Sequence, residues 1–311
     1  MPTIKKVIKF YGVGIHSGTP VEMVVRPSKK RGVFFRRTDL NSELIPAKFD
    51  NVGDTKMRNT TIGDMGGAHV KTIEHFMAAM FMCGIDSAIV DINGPETPIL
   101  DGSAIQFYNM LSDAGKTTGK LKKIIVRKPV CVSAREVFRT LPILMRMKIY
   151  LMNFLAGRKN DGFVKLAPSD DKSLNISATL VYREKIIGTQ SFSYKYNGTK
   201  KSLNDFIKNV ARARTFGKYS EWEYLKKHGM ARGANETNII ALNDSGDGTL
   251  NKTFWPDEFV RHKIVDAIGD MFTSGGWVIG NLVSYKGSHA MNNMVLKKLF
   301  SNPDNYDIID A

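Results

Sequence analysis

Apolar and polar side chains alternate at Val21, Met23 and Val25, and β-branched residues run together at Ile89-Val90-Asp91-Ile92 before the turn Asn93-Gly94-Pro95. Both patterns predict strands. Met1–Lys9, where Lys alternates with apolar residues, reads as a further first strand. It lacks the apolar run and small-residue cleavage site of a signal peptide. A helix is expected after Thr72, through Ile73-Glu74-His75-Phe76-Met77-Ala78-Ala79-Met80 to a C-cap at Gly84. A second follows Asp101-Gly102-Ser103, carries Ile105, Tyr108 and Leu111 at helical spacing, and stops at Gly115. The Gly-, Thr- and Lys-rich segment 116–123 reads as a linker.

The second half repeats strands followed by helices. Residues 124–132 and 174–182 are strand-like, and 203–213 is helical in pattern. A long helix should start near Asp257, after Pro256, bury Phe259, Val260, Ile264, Ile268 and Met271, and end at Gly275-Gly276. No short internal repeat is visible. Strands and helices segregated in each half point to a layered α+β architecture rather than a doubly wound sheet. Two domains are expected, 1–120 and 121–311.

Composition narrows the class. With 311 residues, 42% of them hydrophobic, the chain can fill two ordinary cores. Its two cysteines, Cys83 and Cys131, are too few for a disulfide framework or a thiolate zinc site, so a reducing, cytoplasmic compartment is expected and any metal would rest on His and carboxylates. The longest apolar stretch, 141–156, is broken by Arg146, Lys148 and Asn153 and is shorter than the ~20 residues of a membrane span. A net charge of +15 favours an anionic partner: nucleic acid, a phosphorylated substrate or an anionic membrane surface. The basic residues are dispersed and accompany no nucleic-acid-binding motif, which puts nucleic acid behind the other two.

Chemistry enters with the long helix, where His262, Asp266 and Asp270 fall one turn apart on one face. For an isolated pair at this spacing, a solvated face is the commoner explanation. In the first half, Glu74-His75 interrupts an otherwise apolar helix. A solvent-facing pair would explain it. Helical neighbours also diverge by about 100°, so His75 can ligate a metal while Glu74 reaches its water. His75, His262 and Asp266 would make a two-His, one-carboxylate zinc set with an open fourth position, shared between the halves. The sequence has no His-Glu-x-x-His. His289 opens an amphipathic helix and is by itself a capping or surface residue; a hydrogen bond donated to the Asp270 carboxylate would raise its pKa enough for acid work. Thr215, in Ala213-Arg214-Thr215-Phe216-Gly217, offers a hydroxyl to an oxyanion or simply sits in a turn.

Five segments in order, Gly12-Val13-Gly14-Ile15-His16-Ser17-Gly18, Thr72-Ile73-Glu74-His75, residues 93–104, residues 213–217 and residues 259–270, resemble the zinc-dependent UDP-3-O-acyl-N-acetylglucosamine deacetylases of lipid A biosynthesis. The resemblance implies a two-domain α+β sandwich with helices packed on sheet in each domain and the site at their junction. It further implies His75, His262 and Asp266 as Zn2+ ligands, Glu74 as general base, Thr215 as oxyanion donor, and His289 as cationic acid with Asp270 its partner. Lys263 and Lys286 would lie near the sugar and diphosphate of a UDP-linked acylated glucosamine, Phe216 would touch substrate, and residues 186–190 would shape the acyl passage. Two departures stand out. Lys286-Gly287-Ser288-His289 replaces Lys-Ser-Gly-His, and residues 135–165 look like an insertion.

The expected function is removal of the N-acetyl group from that substrate, with no nucleic acid and no obligate protein partner. A second use for the positive charge at an anionic membrane surface is expected. The competing readings are a basic nucleic-acid-associated protein with a structural metal or none, and a metal amidohydrolase for another acylated substrate.

Overall fold

The computed structural model describes residues 1–54, 59–147 and 160–311. The chain begins with β1 (Ile8–Val13), β2 (Pro20–Arg26), β3 (Gly32–Arg37) and β4 (Ile45–Pro46), followed by the short strands β5 (Val52–Asp54), β6 (Thr61–Gly63) and β7 (His69–Val70). Helix α1 (Glu74–Cys83) precedes β8 (Ser87–Ile92), and α2 (Ile105–Ala114) follows. β8 inserts between β2 and β3, giving a five-stranded sheet in the order β1-β2-β8-β3-β4, while β5, β6 and β7 form a small sheet of their own. The alternation at Val21, Met23 and Val25 does bury all three residues. Met1–Lys9 is not a strand: only Ile8 and Lys9 belong to β1, and Thr3 and Ile4 make isolated bridges to Ser87 and Lys116.

α1 is buried on every side from Glu74 to Met82, and beyond Glu74-His75 it is apolar all round, as a helix between two layers must be. On one side Phe76 meets Phe10 and Phe35 of the five-stranded sheet, and on the other Phe81 packs edge-on against Phe272. Gly84 ends the helix in the left-handed conformation at φ 66°, which lets the chain turn back into β8.

The second half runs β9 (Lys122–Val126), β10 (Val130–Ser133), α3 (Ala134–Thr140), β11 (Phe163–Ala167), β12 (Leu174–Val181), β13 (Thr189–Tyr196) and α4 (Lys200–Asn209). It continues with β14 (Phe216–Lys218), α5 (Tyr219–Lys227), β15 (Ile240–Leu242), α6 (Glu258–Phe272), β16 (Trp277–Tyr285), α7 (His289–Phe300) and β17 (Tyr306–Asp310). β10-β11-β16-β12-β13 form one path through a seven-stranded sheet, with β9 bridging β16 and β17. β14 and β15 pair separately. The architecture is layered α+β, with helices packed on sheet in both halves.

Three boundaries differ from the sequence expectation. Residues 124–132 are two strands, because Pro129 offers no N–H to a ladder; β9 pairs with β16 while β10 pairs with β11. Lys122 and Lys123 belong to β9 rather than to a linker, and Leu121 exchanges backbone hydrogen bonds with Ala311. The helix expected over 203–213 starts three residues earlier, where the Thr199 side chain accepts from the Ser202 amide, and closes at Asn209. Of the 135–165 insertion, α3 carries a Ser133–Glu136 capping box; residues 148–159 lie outside the described residues. No helix among the described residues is long and apolar enough to cross a membrane.

Candidate metal centre and cleft

α1 and α6 pass so closely that a Cβ at Gly269 would lie 1.9 Å from the carbonyl oxygen of Glu74. Only glycine permits that approach. The crossing brings together side chains that are almost 200 residues apart. His75 Nε2 and His262 Nε2 lie 3.5 and 3.4 Å from Asp266 Oδ1, and all three residues are buried. The imidazole rings stand edge to face, 4.9 Å between centroids.

Asp266 Oδ1 is buried and accepts no hydrogen bond. A carboxylate oxygen left donorless between two imidazole nitrogens is costly unless a cation occupies the space they enclose. Two N or O ligands on one tetrahedral zinc stand about 3.4 Å apart, given bonds of about 2.0–2.1 Å. Asp266 Oδ1 keeps that spacing to both imidazole nitrogens, and the three ligand atoms lie within 4.8 Å of one another. His262 Nδ1–H donates to the Ala213 carbonyl oxygen at 3.0 Å, which leaves Nε2 with its lone pair free for a metal. Burial pushes the His262 imidazole down to about 3, against the pull of Asp266, so it is neutral, as a ligand must be. Burial works against the Asp266 charge too, yet His262 and Lys263 hold its carboxyl well below the usual range.

Glu74 is buried beside this trio, and its Oε2 accepts from the Thr60 amide at 3.0 Å. Burial raises its pKa, while His289 and His75 pull the other way. Opposite it, at the start of α7, His289 Nδ1–H donates to Asp270 Oδ2 at 2.7 Å. Burial would lower the His289 pKa, but Asp270 overrides it and lifts the imidazole to about 9. The spacing on α6 therefore serves two purposes, Asp266 toward the imidazole pair and Asp270 toward His289. Asp270 also accepts from Thr60 Oγ1 at 2.6 Å and Asn292 Nδ2 at 2.9 Å.

The reversed Gly287-Ser288 order has a local reason. Ser288 caps α7 by accepting from the Met291 amide, and a Cβ at position 287 would fall 2.0 Å from Ser284 Oγ. His289 thus enters the helix in a fixed orientation.

An open cleft of about 750 Å³, solvent at its mouth included, reaches this site. Thr215, Phe216, Lys263 and His289 line it with Glu74 and the trio. Thr215 is half-buried just before β14, its amide bound to the Gly102 carbonyl oxygen at 2.9 Å. Lys263 Nζ donates to Asp266 Oδ2 at 2.8 Å and lies 5.5 Å from the Phe216 ring centre. Lys286 is not in the lining; its ammonium donates to Asp161 Oδ1 at 2.6 Å. Residues 186–190 do not line the cleft either. Its apolar wall comes instead from Ile15, Ile99, Trp222, Ala231, Ala234 and Ile239, which form a small cluster apart from the main core.

Sequence reasoning missed that wall, whose residues are scattered between positions 15 and 239 without periodicity. It also missed Thr60, a single hydroxyl with no local signal, and the buried Arg214–Glu258 pair, 2.9 Å between Nε and Oε1, which anchors the loop before Thr215 to the start of α6. Asn292 was within reach, since it lies one turn after His289 on the same helix face.

Residues 1–301 match the family model described as UDP-3-O-acyl N-acetylglycosamine deacetylase. The chain is 35% identical over 313 residues to a protein of Myxococcus xanthus named UDP-3-O-acyl-N-acetylglucosamine deacetylase, covering 99% of this chain and 89% of that one. Proteins of the same name from a Geobacter species and from Campylobacter jejuni are 35% identical over 305 residues and 34% identical over 310. Those alignments cover 97% and 99% of this chain, and 89% and 94% of the relatives.

Proposed function

The chain belongs to the UDP-3-O-acyl N-acetylglycosamine deacetylase family, and on that footing we propose that it hydrolyses the N-acetyl group of UDP-3-O-(3-hydroxyacyl)-N-acetylglucosamine to acetate and the free amine, a step of lipid A biosynthesis. The proposal includes two domains, 1–120 and 121–311, that share one zinc site. His75, His262 and Asp266 would hold the ion. What bound zinc supplies there is Lewis acidity toward an amide carbonyl and a water of lowered pKa.

The chain's own residues carry the proton traffic. Glu74, raised by burial, takes a proton from the attacking water. Thr215 donates its hydroxyl to the carbonyl oxygen as negative charge gathers there. His289, kept cationic by Asp270, faces the same charge and gives its proton to the departing amine. Lys263 and Phe216 contact the sugar, and the apolar wall around Trp222 takes the acyl group. Binding of the acyl chain and nucleotide positions an acetamide that offers little to grip by itself. Lys286 would approach the diphosphate by leaving Asp161. The positive charge of the chain suits the same diphosphate, with an anionic membrane surface as a second use.

The observation that carries this reading is the donorless Asp266 Oδ1 between two buried imidazole nitrogens, with a buried carboxylate beside it. Purified protein incubated with UDP-3-O-acyl-N-acetylglucosamine should release acetate, stop when a chelator is added, and resume with zinc. Full release in the presence of chelator would remove the metal from the reading, and no release with zinc present would remove the substrate.

A further inference from the structure

Thr60 stands just before β6, outside the helices that carry Glu74, Asp270 and His289, yet it bonds to groups on all of them. Its amide donates to Glu74 Oε2 on α1 at 3.0 Å, and its hydroxyl donates to Asp270 Oδ1 on α6 at 2.6 Å. The same oxygen lies 3.3 Å from His289 Nδ1 on α7. The residue is almost wholly buried, and its carbonyl oxygen accepts from the Ile73 amide at the entry to α1. Among the described residues, the other side-chain donors to the Asp270 carboxylate are His289 and Asn292, both on α7. Thr60 is therefore what ties the His289–Asp270 pair to the half of the chain that supplies Glu74.

We infer that Thr60 is a positioning residue for the deacetylation proposed above, setting the separation between the group that takes a proton and the group that gives one. The inference rests on that reading of the site. Glu74 and His289 must serve two atoms of one small amide, and a misplacement of about 1 Å costs on the order of a hundredfold in rate. A hydroxyl has one proton to give; once it goes to Asp270, that carboxylate stays an acceptor for His289 Nδ1–H. His289 is then fixed with Nε2 toward the cleft. The amide and hydroxyl of Thr60 bond to Glu74, Asp270 and His289 rather than to the three proposed metal ligands, so its effect should fall on turnover rather than on metal content.

The test uses the full chain loaded with zinc and compares wild type with Thr60→Val, Thr60→Ser and Thr60→Ala in steady-state acetate release. Valine keeps the shape of threonine and the amide bond to Glu74, and removes only the hydroxyl. Expected is a fall in kcat of about 10–100-fold for Thr60→Val, with zinc still bound. KM should stay within about twofold, and Thr60→Ser should retain most of the rate. A folded Thr60→Val with wild-type kcat overturns the inference, as does a loss of rate that tracks a loss of zinc. Should Thr60→Val fail to fold, the alanine and serine variants decide: a slow Thr60→Ala beside a fast Thr60→Ser supports the role, and equal rates overturn it. A wild type that releases no acetate strikes down the deacetylase reading and the inference with it, whereas an active wild type with an unaffected Thr60→Val strikes the inference alone.

Discussion

Glu74 and His75 are neighbours on one helix whose side chains diverge, so replacing each should separate chemistry from metal binding. Glu74→Ala should keep one zinc per chain and lose about 10²–10⁴-fold in acetate release, whereas His75→Ala should lose metal and turnover together, both read by elemental analysis beside a rate assay. His289 makes a pH prediction whose sign follows from its environment. Its pKa rises from 6.5 to about 9 in the fold, so the cation is favoured by folding. That stabilisation is complete below about pH 6.5 and is lost as the pH climbs through about 9. Acetate release should fall along the same limb, and His289→Ala should show a lower rate without that fall. An alkaline limb unchanged in the variant would assign it to another group. At this scale the sequence shows the i,i+4 spacing of His262 and Asp266, because a helix repeats every few residues. It does not show that Thr60 meets Asp270, a contact 210 residues apart with no periodic trace.

Helices were legible as elements because their apolar positions recur, and their ends because Gly84 and Gly115 close α1 and α2. Ends set by a single side chain were not: Thr199 starts α4 three residues before its apolar pattern does. Nor could sequence show how tightly α1 crosses α6. Gly269→Ala would drive a methyl into the Glu74 carbonyl, where backbone cannot yield cheaply. It should cost about 1–3 kcal/mol or more in a denaturation experiment and weaken zinc binding, since the two helices that carry the proposed ligands must part. Ser288→Ala should cost about 1 kcal/mol by removing the cap of α7, and it should slow turnover more than an equal destabilisation elsewhere because His289 is the first residue of that helix. Tolerance of Gly269→Ala at full stability would contradict the crossing.

Across the whole molecule, the strand and helix content of each half could be read, yet the packing of α1 on α6 could not, since nothing in either half's pattern names its partner. The docking buries Phe81 against Phe272 and Trp277, so each half alone would expose an aromatic face. Residues 1–120 and 121–311 produced separately should each bind zinc poorly and aggregate, while co-produced halves should associate and recover the site. Stoichiometric zinc on either half alone would argue against a shared centre. The measurement that bears most directly on that centre is a zinc titration of metal-free protein with acetate release followed at each addition. Activity should rise in proportion to zinc and level off at one ion per chain, and His262→Ala should not respond. Full turnover before any zinc is added, or an unchanged response in His262→Ala, would contradict the account.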